Sequence, residues 1–385
     1  MKAYLDHAAT TPLRPEARQA MLAWLGDCFG NPSGSHAVAR AARAAVDDAR
    51  AVVADCLGAD PSEVVFTGGG TESDNLAVLG RAGRGRVLCS SIEHDAVIGP
   101  TRSVGGTVVP VDAGGVVDLG ALGAALGPEV ALVSVMLANN EIGVVQPLAE
   151  VVRLVCRTCP DAAVHTDAVQ ALSWLDVAGL AAGADLVSLS AHKFGGPQGV
   201  GVLLQRAGAG SPRGRRAPVL DPVLHGGGQE RGRRSGTHNV AGIVGLAAAM
   251  RATVEERHAT VERVTRLRDR MADGLLAAVA GAVETGERDS KVAGSCHLRF
   301  EGVDSEALVL LLDSMGICAS AGSACASGAT EPSHVLLALG LSDREAAGAL
   351  RLSLGWSSTD ADVDAALEAV PAAVSRLRRT APVGS

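Results

Sequence analysis

SLSAHKFGGPQGVGVLL (residues 188–204) places two strand-length apolar runs on either side of a lysine and two glycines. Lys193 is one of three lysines, with Lys2 and Lys291, in a chain whose lysines and arginines number 34. The residue therefore stands where arginine is otherwise the rule. It also follows the run ADLVSLS, at the carboxyl end of a predicted strand, where open α/β sheets place their ligands. Gly195 and Gly196 permit positive φ or a close backbone approach just beyond it.

The same pattern recurs outward from this stretch. EVVFT, RVLCS, TVVPV, VALVSVML, AAVHTD, ADLVSLS and GVGVLL are short, mostly Val-rich and separated by helical or turn-rich segments. Continuous apolar strands alternating with helices predict an α/β fold with a mostly parallel sheet, flanked by helices and buried on both faces. HAVARAARAAVDDARAVVADCLG, residues 36–58, has helical periodicity, with Val38, Ala41, Ala45, Val46, Ala49, Val52 and Val53 as the expected apolar stripe. Residues 208–220 interrupt the alternation and read as a loop, with a basic partner patch as the alternative. A long helical pattern follows from about residue 238 to 280. HLRF, SEALVLLLDSMG, ICAS and RLSLG then predict a smaller α+β unit. The expected division is a large domain over residues 15–245 and a small one built from residues 1–14 and 246–385.

Composition bounds the function. The chain has 385 residues, is 47% hydrophobic and 20% charged, and carries a net charge of −8. It reads as globular, and its charge argues against direct nucleic-acid binding. The start, MKAYLDHAATTP, has no apolar signal region, and no apolar run reaches membrane length, so a cytoplasmic protein without membrane contact is expected. Eight cysteines in a chain of this size are expected to stay as thiols.

Lys193 has a chemistry that arginine cannot replace: an amine condenses with an aldehyde to a Schiff base. A surface lysine capping a strand is the plain alternative. The polar neighbours Ser190 and His192 and the two glycines favour a pyridoxal phosphate site. Such a site needs a carboxylate for the pyridine nitrogen, a phosphate cup and a ring platform. Asp167, ending AAVHTD, supplies the carboxylate, although taken alone it suits a helix N-cap equally. FTGGGTESDN supplies Gly70 and Thr71 where a strand gives way to a helix, so that backbone N–H groups can hold a phosphate. It lacks the lysine of a P-loop. His94 in SSIEHDAV follows another strand and could stack on the ring; alone it is an ordinary histidine.

Taken with YLDHAATTP, FGNPSGSH, NNEIGVVQP, HGGGQERGRRSGTHN, SAGSACASG and LRLSLG, these motifs span almost the whole chain. Together the chain resembles the pyridoxal phosphate-dependent cysteine desulfurases of iron–sulfur cluster assembly and nitrogen fixation. The resemblance implies the fold type I architecture of pyridoxal phosphate-dependent transferases. It implies that Lys193 carries the cofactor and moves protons at the substrate's Cα, that Asp167 pairs with the pyridine nitrogen, and that Gln170 meets the ring oxygen. His94 would stack on the ring and act as acid or base. Gly70, Thr71, Ser190 and His192 would hold the phosphate. Thr237 would reach the phosphate of a neighbouring subunit, which implies a homodimer. Asn31, Asn140 and Arg351 would bind the L-cysteine substrate, with Arg351 as the carboxylate clamp. No metal is expected.

Cys325, among small residues between Gly322 and Gly328, would accept the sulfur as a persulfide while L-alanine leaves. A small buried thiol is the plain alternative. The length of chain from Cys325 to RLSLG resembles the family branch with a long cysteine loop. Ala321 and Ala326 depart from the serine and threonine common in relatives. CRTC at Cys156 and Cys159 is a candidate redox or metal pair; without a second such pair, helix-surface cysteines are expected. A selenocysteine lyase or another pyridoxal phosphate enzyme, and a non-catalytic sulfur-pathway scaffold, remain as other classes. A sulfur-acceptor or scaffold protein is the expected partner, serving iron–sulfur clusters, tRNA thiolation or DNA sulfur modification.

Overall fold

The computed structural model describes residues 1–207, 217–322 and 332–380, so Cys325 and residues 208–216 lie outside the described part. The strands are β1 (Ala3–Tyr4), β2 (Val64–Thr67), β3 (Arg86–Ser90), β4 (Thr107–Val109), β5 (Val130–Ser134), β6 (Ala163–Asp167), β7 (Leu186–Ser190), β8 (Gly201–Gln205), β9 (Ala282–Glu284), β10 (Ser295–Phe300), β11 (Ile317–Cys318) and β12 (Ala349–Ser353). Seven form one sheet in the order β2-β8-β7-β6-β5-β3-β4. Every neighbouring pair is parallel except those of β8, which runs antiparallel to both β2 and β7. The reversal follows from chain length: residues 191–200 are too few for the helical crossover that a parallel return requires.

Strands β5 to β8 are buried at every position. Their alternate side chains serve two cores, as strand geometry demands. Phe66, Val133, Val164 and Leu189 pack with the helix Ala37–Leu57 and the helix Leu148–Thr158 on one face. Val65, Leu132, Ala163 and Leu203 pack with Leu76 and Val97 on the other. In the helix Ala37–Leu57 the buried residues are Ala39, Ala42, Val46, Ala49, Val53, Ala54 and Leu57. The first turn thus departs from the expected stripe, since Val38 and Ala41 are exposed. In a helix so rich in alanine the contrast between faces is weak, and packing sets the phase.

The antiparallel sheet β12-β10-β9 and the parallel pair β1-β11 enclose a further core of Leu5, Leu298, Leu308, Leu350 and Val370. The helix Val240–Ala278 joins this core to the large sheet. Its Ile243, Leu246 and Met250 lie in the first core, and its Val264, Leu267, Met271 and Leu275 in the other. A bridge between Asp6 and Ser353 brings the amino-terminal segment beside β12. Among the described residues no helix is long and apolar enough to cross a membrane.

The CxxC pair differs from the expectation of two surface thiols. Cys159 lies just past the helix Leu148–Thr158, is 4% exposed, and donates its thiol to the carbonyl of Gly127 at 2.9 Å. The helix ends before the second cysteine, so the pair does not share one exposed face.

Candidate active site

Five strand ends of the large sheet, β12 and the amino-terminal segment converge on one cavity of about 380 Å³, within the range of small-ligand sites. Lys193 closes a short turn, Ala191–Lys193, directly after β7. Its Nζ donates to the carbonyl of Ala9 at 2.9 Å and to that of Ala8. The Ala8 carbonyl also accepts from Gln170 Nε2 at 2.8 Å. The segment around Ala8 is thereby tied to two of the predicted site residues.

Asp167 ends β6, the neighbour of β7, and is 5% exposed. Its Oδ1 accepts from the Val169 N–H at 2.8 Å. Burial pushes its carboxyl above the usual range, while that hydrogen bond and the charges of His94 and Lys193 pull it back. His94 caps the helix Asp95–Ser103, its Nδ1 accepting from Ala96 N at 3.1 Å. In the neutral ring that bond places the proton on Nε2.

The glycine turn after β2 is compressed. Gly69 has φ +149°, and Gly70 opens the helix Gly70–Ala82. A Cβ on Gly70 would stand 2.8 Å from Val169 Cγ2, and one on Gly201 would stand 2.7 Å from the Gly69 backbone. Only glycines let the turn approach β8 and the Asp167–Gln170 segment so closely. The free N–H groups of that helix start, with Thr71, Ser190 and His192, line the cavity. His192 Nδ1 lies 3.2 Å from Thr10 Oγ1. Burial and the charge of Lys193 push its imidazole down to about 4.

Arg351 comes from β12 and is 2% exposed. Its guanidinium donates to Asp6 Oδ1 at 2.9 Å and to the Asn140 carbonyl at 3.0 Å, while its Nε is buried with no hydrogen-bond partner. The cavity thus brings together Gly70, Thr71, His94, Asn140, Asp167, Gln170, Ser190, His192, Lys193 and Arg351. It does not include Asn31 or Thr237, both exposed. Asn31 instead accepts from Ser33 N at 3.0 Å. Cys325 lies outside the described residues.

Sequence reasoning missed Asp6, the Ala8 and Ala9 carbonyls, and Asp74. The last was within reach: four residues after Gly70 in one helix, it shares that residue's face. Asp74 lines the cavity at 1% exposure, and burial together with the charge of Asp167 pushes its carboxyl well up.

The family model described as aminotransferase class-V matches residues 3–366. An IscS-like cysteine desulfurase from Mycobacterium tuberculosis is 44% identical over 396 residues, covering 98% of each chain. The chain belongs to the class V aminotransferase family, as a cysteine desulfurase of the IscS and NifS kind. A solved structure titled NifS-like protein matches this desulfurase with TM-score 0.88 at 35% identity, covering 98% of this chain and all of that one. Another, titled SspA in complex with cysteine, matches with TM-score 0.77 at 33% identity, over 93% of this chain and all of that one.

The family is pyridoxal phosphate-dependent. The desulfurase's own residues fit that cofactor. An amine and a buried carboxyl from neighbouring strands face one cavity, and the glycine turn beside them would be blocked by a single Cβ.

Proposed function

We propose that this desulfurase removes sulfur from L-cysteine, releases L-alanine, and carries the sulfur on Cys325 as a persulfide for a sulfur-acceptor or scaffold protein. The observation that supports this most is the convergence of the Lys193 amine, the Asp167 carboxyl, the Gly70 helix start and the Arg351 guanidinium on one cavity.

Pyridoxal phosphate, when bound, supplies an electron sink for the substrate's Cα. Lys193 would hold it covalently, Asp167 would keep its pyridine nitrogen protonated, and Gln170 would meet the ring oxygen. Gly70, Thr71, Ser190 and His192 would hold its phosphate, and His94 would cover the ring. The remaining work belongs to the protein. Arg351, oriented by Asp6 and the Asn140 carbonyl, receives the substrate carboxylate. Lys193 Nζ takes the proton from the substrate's Cα. The thiolate of Cys325 attacks the substrate sulfur: an S–S bond forms, the Cβ–S bond breaks, and its electron pair stays with the carbon fragment, which takes up protons to become alanine. His94 Nε2 is the nearby group that exchanges a proton. Two copies of the chain would share sites, the exposed Thr237 of one reaching the phosphate held by the other. The setting is cytoplasmic, and direct nucleic-acid contact is not part of the role.

The test is spectroscopic. The wild-type protein reconstituted with pyridoxal phosphate should absorb in the visible, sediment as a dimer of 38.8 kDa chains, and retain the cofactor through borohydride reduction and denaturation. Lys193→Ala should retain none. A colourless wild type after reconstitution would end the proposal.

A further inference from the structure

Glu141 is fully buried in the turn after β5, one residue beyond Asn140. The turn is held by Asn139, whose Oδ1 accepts from the N–H groups of Glu141 and Ile142, both at 2.9 Å, and whose Nδ2 donates to the Ile92 carbonyl at 2.9 Å. It is therefore a fixed platform, and the Glu141 carboxyl is aimed from it.

That carboxyl is bonded on the far side of residues 323–331, the stretch that contains Cys325, and lies close to Gly322 on the near side. On the far side, Ser333 Oγ donates to Glu141 Oε2 at 2.7 Å. The same Ser333 oxygen accepts from Val335 N at 3.2 Å, fixing the start of the helix His334–Ala338. On the near side is Gly322, with φ +101°, where a Cβ would stand 2.9 Å from Glu141 Oε1. Gly322 is tied in turn to β12. Its carbonyl accepts from Ser320 Oγ at 3.3 Å, and Ser320 and Arg351 exchange backbone hydrogen bonds of 3.2 and 2.8 Å. The positive charge of Arg351 acts on Glu141 as well. His297, beside Arg351 in the β10-β12 register, brings Nε2 to 3.8 Å from Oε1, too far for a hydrogen bond.

Packing alone does not call for this arrangement. Glu141 Oε1 and both ring nitrogens of His297 are buried with no hydrogen-bond partner. Buried polar groups in that state cost free energy, and an apolar side chain would fill the same space more cheaply. The carboxyl does something an apolar group cannot: it holds the Ser333 hydroxyl, close to Gly322 and to the arginine that receives substrate.

We infer that Glu141 is a positioning residue for sulfur transfer, whose carboxyl anchors the far side of the Cys325-bearing stretch through Ser333, beside Arg351. The inference rests on the persulfide reading above. Removing the anchor frees Ser333 beside that stretch, and misplaced reactive groups lose rate steeply. Binding of L-cysteine does not use this group and should persist.

The experiment measures alanine formation, L-cysteine saturation, cofactor absorbance and melting temperature for holoenzyme variants. Glu141→Ala should lower kcat at least about tenfold with KM within about threefold. Glu141→Gln keeps an oxygen for the Ser333 hydroxyl and should restore most of that loss. Ser333→Ala, a milder change that keeps the fold testable if Glu141→Ala melts early, should lower kcat in the same direction. Glu141→Ala/Ser333→Ala should be no worse than Glu141→Ala alone, as expected for two groups acting as one. Cys325→Ser serves as the control and should form no alanine. Wild-type kcat in Glu141→Ala or Ser333→Ala, with Cys325→Ser inactive, would overturn the anchor while sparing the persulfide reading. So would a loss confined to KM. Alanine formation that survives Cys325→Ser would overturn the persulfide reading, and the anchor with it.

Discussion

Glu93 adjoins His94 but has no predicted role, and its carboxyl is fully buried. Oε1 accepts from Ser90 Oγ at 2.6 Å and from Met136 N at 2.7 Å, whereas Oε2 has no partner. Burial outweighs those two bonds and pushes the group up to about 8 from an ordinary 4.5. A carboxyl raised in the folded state contributes stability below its unfolded value, and that contribution is lost as pH rises through the folded one. The Glu93 contribution to melting temperature should therefore fall as pH rises from 4.5 to about 8, the window these two values define, whereas His7, His165, His192 and His297, pushed below 6.5 by burial, act the other way in its lower part. Glu141, pushed up to about 7 by burial, acts in the same direction. Glu93→Gln removes one of these ionisations, so its melting temperature should rise relative to that of the wild type across the window, by about 2 °C or more. Parallel profiles for wild type and variant would show that Glu93 is not protonated in the fold. At this scale the sequence was informative where chemistry is tied to side-chain type: an amine, a carboxylate, a glycine cup. It could not reveal the Ala8 and Ala9 carbonyls, since every residue carries one. Nor could it reveal Asp6 or Glu141, whose partners Arg351 and Ser333 are far along the chain.

Elements were legible in proportion to the contrast in their patterns. The seven apolar runs of the large sheet all became strands, and the long helical pattern became the helix Val240–Ala278. The phase of the first turn of Ala37–Leu57 was misread because alanines on both faces blur the stripe. The turn that carries Asn139 and Glu141 depends on a glycine for a reason visible only in three dimensions. Gly143 has φ +81°, and a Cβ there would stand 2.3 Å from Ser295 Cβ on β10. Its carbonyl accepts from Val292 N at 2.9 Å, joining the turn to the small sheet. Gly143→Ala combines left-handed backbone strain with a clash that neither chain segment can relieve by a rotamer change. It should cost about 3 kcal/mol, read as a lower denaturant midpoint. A midpoint equal to wild type would mean the turn has another conformation.

Across the whole molecule, the proposed site depends on two sheets meeting. Lys193, Asp167 and Gly70 come from the ends of β7, β6 and β2, whereas Arg351 comes from β12 and is oriented by Asp6. Motifs near both ends of the chain therefore complete one cavity. The chemistry of each motif was readable locally, but their convergence depends on Val240–Ala278 packing in both cores and on the Asp6 bridge to β12. The proposed function asks an electron-withdrawing site, a carboxylate clamp and Cys325 to act on one substrate. Peptide mass spectrometry of the holoenzyme after a single turnover with L-cysteine examines that arrangement as a unit. One added sulfur atom should appear on the peptide carrying Cys325, in step with alanine, and none on the peptides of Cys156 or Cys159. Cys325→Ser should yield neither alanine nor added sulfur while keeping the cofactor absorbance. Alanine at the wild-type rate in that variant, or wild-type turnover with an unmodified Cys325 peptide, would contradict persulfide transfer and leave a lyase that expels sulfur without a protein thiol.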